Sequence, residues 1–465
     1  MISNKIKISN SNNFKDNIKN LTYELNNIFN NNNDDISLLL KEKNINTRIR
    51  KITFTDALIY KFKYAERYKT QKNIINDYKL EKNIYCDNTS FFRKEQKIPL
   101  EYYDNIFQKV LALFKKYSKK TQYTIIGVDG TYNNTNYNIN PKIETSLNMG
   151  YFDITNGIPL EIDHIGNKKN TEIQSFISAI KDKKIKEDNV IFVCDRAYFS
   201  YGLIKFLNNN NYKYVIRIKN NSKHITNSNN EKNIKNFPKV PDNTRFINYN
   251  FLKEYTKDLY NKKTDKKEKY KITQKVNCNI ATNLDLTYID DDIKNIYNSR
   301  WSIEEYFKLI KRNFKFSLMR EHNKNTSTTY KKTLVIIKIY SVLEKLFELF
   351  SDNIINNYND NYNVKMNKSE LFNGLFKIIP DIISSNLDYK KLEIFFNIYT
   401  CLNFTKKDSH NARVSKIPFT KWYVKDYHAN YDIQKIFDVY NNTETKINKN
   451  LKSKLKDYIF EQIIE

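Results

Sequence analysis

Acidic and basic side chains occur together in one predicted helix, in the stretch IYNSRWSIEEYFKLIKR. With about 100° of rotation per residue, five of its side chains fall within an arc of about 80°. They are Tyr297, Arg300, Glu304, Lys308 and Lys311. The apolar side chains fall in the adjoining arc, so the charged strip borders the face that the helix would bury. A glutamate there could hold a metal ion while the cations bind a phosphate. Ion pairs four residues apart on a solvated helix, such as Arg300 with Glu304, explain the same spacing equally well.

Two aspartates each follow a stretch that is typical of a buried strand. Asp129 stands in GVDGTY and Asp195 in CDRAY. Carboxylates at the carboxyl ends of central strands lie where open α/β sheets place their sites. For each residue alone a structural role is also open, because Asp-Gly is a common turn pair and aspartate often caps a helix. We expect Asp129 to close the first strand, at an Asp-Gly turn, and Asp195 to close the fourth.

The carboxylates of Asp129, Asp195 and Glu304 would together form a site of hard oxygen ligands. Such ligands suit Mg²⁺, for which Mn²⁺ can substitute. Two such ions about 3.5–4 Å apart can activate a water molecule and stabilise a leaving 3′ oxygen in one in-line displacement. Because phosphoryl transfer needs little more than positioning and charge, this set of residues suits a two-metal site.

The elements that must position these residues fall into five segments. Residues 121–219 alternate as β-β-β-α-β-α-β, which predicts a mixed sheet flanked by helices and therefore a mixed α/β fold. Residues 220–287 are polar and rich in strand patterns, as in an insertion with a small sheet of its own. Residues 1–120 are predicted to be a helical region, and a helix-turn-helix DNA reader and a plain helical cap both fit it. Residues 288–325 carry the helix described above, and residues 326–465 are predicted to be mainly helical.

The charge of the chain favours a polyanionic partner. Its 79 Lys and Arg residues outnumber its 52 Asp and Glu residues, which gives a net charge of +27. Neutralising phosphates is the common use of such an excess, although codon bias in an AT-rich genome also enriches lysine. The four cysteines are scattered without a CxxC pair, which fits a reducing compartment and argues against a zinc site.

Membrane insertion is not expected from the sequence. The N-terminus lacks an apolar signal core. The longest apolar run, Leu334 to Phe350, is interrupted by charged residues and predicts an amphipathic helix rather than a membrane span. We therefore expect a soluble, intracellular protein.

The order and spacing of these residues resemble those of a known family, the DDE transposases of the insertion-sequence-four type. That family carries the signature Y-x2-R-x3-E-x6-K, and here Tyr297, Arg300, Glu304 and Lys311 keep every spacing. Its two aspartates match Asp129 and Asp195. The chain departs from the family after the second acid, where the common Asp-Arg-Gly-Tyr has Ala197 in place of glycine. The resemblance covers roughly residues 50–325 and becomes vague beyond them.

The resemblance implies a ribonuclease-H-like catalytic core with a β-rich insertion, flanked by helical N- and C-terminal regions. It implies a cut-and-paste enzyme that cleaves DNA at terminal inverted repeats and joins the freed 3′ hydroxyl to a target. The three acids would hold two Mg²⁺ ions. The implied partner is double-stranded DNA, bound by at least a homodimer. The expected DNA-binding residues are Tyr297, Arg300, Lys311, Lys308, Arg217 and Arg196.

Two other functions stay open at this point. A transposase-derived protein could bind DNA sequences without cutting them, and a ribonuclease-H-type nuclease could hydrolyse DNA without strand transfer. Two roles also stay open for Trp301, which could stack on a flipped base or pack in the core, and the sequence favours the second.

Overall fold

The computed structural model describes most of the chain up to residue 406. The described residues are 12–29, 51–83, 86–118, 120–134, 145–166, 171–218, 241, 243–261, 266–319, 324–355, 362–399 and 402–406. All of them belong to one compact unit that covers residues 1–137 and 142–407. The predicted helical character of residues 407–465 lies outside the described residues.

Five helices precede the sheet: α1 (Asn12–Ile28), α2 (Phe54–Tyr64), α3 (Gln71–Lys82), α4 (Thr89–Lys97) and α5 (Leu100–Tyr117). Helix α2 begins after Thr53, because Thr53 and Asp56 form a capping box in which each side chain accepts a hydrogen bond from the other's backbone N–H. The described part of this region is helical as predicted, and its DNA binding stays a prediction.

A mixed seven-stranded sheet forms the centre of the fold, in the spatial order β3-β2-β1-β4-β5-β7-β6. Its strands are β1 (Thr124–Asn134), β2 (Thr145–Asp153), β3 (Ile158–Gly166), β4 (Val190–Cys194), β5 (Lys213–Ile218), β6 (Arg245–Asn261) and β7 (Lys266–Thr282). Strands β1, β4 and β5 pair in parallel, whereas β1–β2, β2–β3, β5–β7 and β6–β7 pair in an antiparallel manner. Helix α6 (Glu172–Lys181) connects β3 to β4, and a short 3₁₀ turn (Arg196–Tyr198) followed by α7 (Tyr201–Asn209) connects β4 to β5.

The predicted fold class is confirmed. The order β-β-β-α-β-α-β, the mixed sheet and the flanking helices are all present. The turn between β2 and β3 contains the pair Asn156-Gly157, and Gly157 adopts the positive φ of 72° that favours glycine.

The predicted separate small sheet after residue 220 is wrong. Strands β6 and β7 form one long hairpin, and β7 pairs with β5 at the edge of the central sheet. The hairpin therefore extends the main sheet. The strand pattern itself was visible in the sequence, but the pairing of β7 with β5 has no local signal.

The predicted continuous helix around the signature is also corrected. The chain forms α8 (Asp290–Ser299) and α9 (Trp301–Asn313), separated at Arg300. Arg300 keeps helical dihedral angles, φ −51° and ψ −32°, and its backbone N–H donates to the carbonyl of Tyr297, three residues back. The two helices are thus joined by one tighter turn.

The C-terminal helices pack against the N-terminal ones. They are α10 (Lys324–Ile355), α11 (Lys368–Ile383) and α12 (Tyr389–Tyr399), with a two-stranded sheet of β8 (Tyr362–Met366) and β9 (Leu402–Lys406). Most of α10 is buried on every side, so the predicted amphipathic helix is wrong. Its charges enter the core because they are paired: Lys332 with Glu95 at 3.1 Å and Lys338 with Glu161 at 2.7 Å. Within the described residues, no helix is both long and apolar enough to cross a bilayer.

Candidate active site

One face of β1 lies under helix α9. Glycine at two sheet positions lets the helix come close. A Cβ atom on Gly150 of β2 would lie 2.6 Å from the ring of Phe307, and one on Gly127 would lie 3.5 Å from the Cβ of Ile303. Because side chains alternate along a strand, Asp129 and Thr131 follow Gly127 on this same face. The helix and the strand thus enclose the first predicted acid.

The sheet register places Asp129 beside Asp195. Val128 pairs with Cys194 in the parallel pairing of β1 and β4, so the two aspartates are the next residues in register. Asp195 is still extended, with φ −72° and ψ 170°. Neighbouring strands are about 4.8 Å apart, so the two carboxylates start from backbone positions at about that separation. Arg217 of β5 follows in the same register, because Cys194 pairs with Ile216 and the next residues on the two strands are Asp195 and Arg217.

The strand end predicted at Asp129 is wrong, because β1 continues to Asn134 in its pairing with β2. What ends after Val128 is the pairing with β4. The Asp-Gly pair is therefore not a turn. The sequence looks the same whether the strand ends at the Asp-Gly pair or continues through it. Only the pairing of β1 with β2 shows that the strand continues.

Glu304 is held by Arg300. The Nη2 atom of Arg300 donates to Oε1 of Glu304 at 2.6 Å. Arg300 is only 8% exposed, and the negative charges of Glu304 and Asp195 raise the pKa of its guanidinium although burial opposes this. The ion pair that the sequence offered as an alternative to a functional role is present, but it is mostly buried and lies beside both aspartates.

The acids and cations of this region act on one another. Burial raises the pKa of Asp129 to about 6; the charge of Arg300 opposes this rise, and the charges of Glu172 and Glu304 add to it. Burial is the largest cause, as expected for a carboxylate that is removed from water. Asp129 therefore lies in the same electrostatic environment as Arg300 and Glu304.

Glu172 is a fourth carboxylate that the sequence did not single out. It is the first residue of α6, after the capping residue Thr171. Its carboxyl group occupies the space above Gly130, where an added Cβ would lie 2.6 Å from its Cδ atom. Burial raises the pKa of Tyr198 well above its ordinary value, and the charge of Glu172 adds to the rise. A side chain at position 130 would therefore displace the end of the Glu172 side chain.

Two further signature residues point into the same region. The Nζ atom of Lys311 donates to Oγ1 of Thr131 at 2.6 Å, and burial lowers the pKa of Lys311 while the charge of Asp129 opposes this. Tyr297 is 8% exposed. Burial raises its pKa, the charge of Asp195 adds to the rise, and the charge of Arg217 opposes it. Lys311, Tyr297 and Arg217 thus surround the acids.

Three of the singled-out residues lie outside this arrangement. Lys308 is exposed, pairs with Glu305 at 2.7 Å and lies over the ring of Trp301 at 4.7 Å. It does not join the strip beside Glu304. Trp301 is 53% exposed, so the favoured packing role is wrong. Arg196 is exposed at the start of the 3₁₀ turn that follows Asp195.

The carboxylates fit a hard divalent cation in their chemistry, and two of them are side by side in register. Within the parts of the chain that the structure describes, no three Asp, Glu, His or Cys side chains lie close enough to hold one ion. The third acid of the set, Glu304, is turned to Arg300. The site therefore offers two adjacent aspartates and a third carboxylate that is already paired.

The chain was compared with known families, curated proteins and solved structures. The sequence model of the transposase DDE domain matches residues 124–336. Among solved structures, the chain resembles the piggyBac transposase in a cryo-EM structure of its synaptic complex with hairpin DNA. The sequence identity is 11%, the alignment covers 88% of this chain and 84% of that chain, and the TM-score is 0.37. No curated protein matches the chain. The segment that carries Asp129, Asp195 and Glu304 is similar to the transposase DDE domain.

Proposed function

We propose that the protein is a DDE transposase of the insertion-sequence-four type, which cleaves DNA at terminal inverted repeats and transfers the freed strand to a target. One observation supports the proposal: in the segment that matches the transposase DDE domain, Asp129 and Asp195 directly follow the paired residues Val128 and Cys194, and the charge of Glu304 acts on Asp129. Acids that follow the end of the pairing between two central strands, with buried cations near them, suit the chemistry of phosphoryl transfer.

The acids and cations divide the work. Asp129, Asp195 and Glu304 would hold Mg²⁺, or Mn²⁺ in its place. When bound, these ions activate the attacking hydroxyl and stabilise the leaving oxygen. Lys311 and Arg300 would bind phosphates at the DNA end, with Tyr297 positioned between Arg300 and Arg217. The exposed cations Lys308 and Arg196 would contact the backbone further from the reacting atoms. A homodimer would bring two ends into one complex.

The ion pair of Arg300 with Glu304 favours a second candidate function. If Glu304 stays paired, the chain lacks its third ligand and would act as a transposase-derived, sequence-specific DNA-binding protein. A third reading, hydrolysis without strand transfer, uses the same acids and differs only in its products.

A cleavage assay separates these functions. Labelled duplexes that carry the DNA flanking the reading frame are incubated with the full chain and Mg²⁺, with EDTA in a parallel series. We expect nicks at a terminal repeat and joined products with a target plasmid. Retained binding without nicks would favour the DNA-binding protein, and nicks without joined products would favour the simple nuclease.

Matched variants assign the activity to the site. Asp195→Asn removes one carboxylate charge and should abolish nicking while binding persists. Asp188→Asn changes an exposed residue in the turn before β4 and should cut like the wild type. Nicking by Asp195→Asn at the wild-type rate would refute the proposed site.

A further inference from the structure

Arg300 is a buried cation that pairs with Glu304 and whose charge acts on Asp129. It lies at the junction of α8 and α9 and is 8% exposed. Its Nη2 atom contacts Glu304 at 2.6 Å. Its charge also acts on Asp129 and Asp195. One guanidinium therefore pairs with Glu304 while its charge acts on the two aspartates, and an arginine cannot be neutralised by losing its proton.

The arrangement around Arg300 leaves a buried donor unused. Its Nε atom is buried and has no hydrogen-bond partner among the described residues. A guanidinium presents its donors in a fork that matches the oxygens of a phosphate. A phosphate group that approached Arg300 would satisfy this donor and compete with Glu304 for the others.

We propose that Arg300 is the counter-ion of the three acids in the DNA-free protein, and that a DNA phosphate draws it away from Glu304 and so makes room for the divalent cation. This inference rests on the proposed function and adds a coupling between the binding of DNA and the binding of the divalent cation. With Arg300 in place, the third carboxylate is engaged and a positive charge opposes a second cation. After Arg300 turns to a phosphate, Glu304 is free to act as a ligand. Binding of DNA and binding of the cation are then mutually favourable, by the same factor in both directions.

The first test needs no DNA. Mn²⁺ affinity is measured by isothermal titration calorimetry on the full-length wild type and on Arg300→Gln, which removes the charge, and Arg300→Lys, which keeps it. We expect Arg300→Gln to bind Mn²⁺ between about 5-fold and 150-fold more tightly than the wild type, the usual range of a coupling. Arg300→Lys should stay close to the wild type. Arg312→Gln, an exposed arginine on the same helix, is the matched control and should bind Mn²⁺ as the wild type does.

A structural role for Arg300 would give the opposite result. If Arg300 merely holds α8 against α9, both variants lose affinity and unfold at lower temperature, and the proposal is overturned. Equal affinity in the wild type and Arg300→Gln also overturns it. Glu304→Gln added to Arg300→Gln should remove the gain, because the freed ligand is then lost, and a gain that survives this second change contradicts the role of Glu304.

The second test measures the coupling itself. Fluorescence anisotropy gives the affinity for the flanking duplex with and without Ca²⁺, which takes oxygen ligands, at constant ionic strength. Ca²⁺ should tighten DNA binding of the wild type and leave that of Arg300→Gln unchanged. A wild type that cuts DNA but shows no coupling refutes this inference alone. Tighter Mn²⁺ binding by Arg300→Gln in a chain that never cuts would support the counter-ion role and refute the transposase.

Discussion

Replacing Asp129 by asparagine should stabilise the cation-free protein at neutral pH. Burial raises the pKa of Asp129 to about 6 from an ordinary value of 3.8. A pKa that is higher in the folded chain means that the folded state holds the proton more tightly, so stability is lost as pH rises from the unfolded value through the folded one. At 1.36 kcal/mol per pKa unit, the difference amounts to about 3 kcal/mol above pH 7. Asparagine has the same shape, and its Oδ1 can still accept the hydrogen bond that the Gly130 N–H donates to Asp129.

The assay is urea unfolding followed by tryptophan fluorescence, in EDTA, at pH 7.5 and at pH 4. We expect Asp129→Asn to raise the free energy of unfolding by up to about 3 kcal/mol at pH 7.5. At pH 4, where the folded wild type already carries a protonated Asp129, the gain should nearly vanish. Asp188→Asn, at an exposed position, should change stability by no more than about 0.5 kcal/mol at either pH.

The result also decides which electrostatic effect is larger at Asp129. If the attraction of Arg300 exceeded the cost of burial, the pKa would be depressed and Asp129→Asn would destabilise the protein at pH 7.5. An equal change at the two pH values would show that the ionisation of Asp129 contributes nothing to folding. Either outcome refutes the electrostatic account of the site.

Three further predictions concern neighbouring residues. Glu172→Gln should lower the pKa of Asp129, because it removes a negative charge, so the stabilisation by Asp129→Asn should become smaller and level off at a lower pH; an unchanged pH profile would contradict the proximity of the two acids. Lys311→Ala should weaken duplex binding and reduce the slope of log K against log salt by about one phosphate contact, and an unaltered slope in anisotropy titrations would count against its role. Gly150→Ala should destabilise the protein by about 1–3 kcal/mol through overpacking against Phe307. Phe307→Leu should relieve part of that cost in the double variant, and strictly additive urea midpoints would argue against the contact.

The order of the strands could be predicted because it depends on local chemistry. The buried runs before Asp129 and Asp195 have few structural alternatives, and Asn156-Gly157 is a strong turn pair. The capping pair of Thr53 and Asp56 fixed a helix start in the same way. These signals act within a few residues, and each holds in the structure.

The features that could not be predicted depend on contacts between distant segments. Glu172 is an ordinary first-turn glutamate until α6 is placed over Gly130. The break at Arg300 is not visible in the helical periodicity of α8 and α9. A helical projection placed Lys308 and Lys311 in the same arc of about 80°. In the structure Lys308 lies over the ring of Trp301, whereas Lys311 donates to Thr131 of β1.

The position of the acids is fixed by the same alternation that buries the sheet. Ile126 and Val128 are fully buried on one face of β1, and Asp129 is on the other, under α9. A slip of one residue against β4 would turn the aspartate into the apolar face and Val128 towards Asp195. Burial of the apolar residues therefore penalises a one-residue slip, and in the observed register Asp129 and Asp195 follow the pair Val128–Cys194. Packing of the sheet thus supplies the free energy that keeps Asp129 buried, although burial disfavours its ionised form.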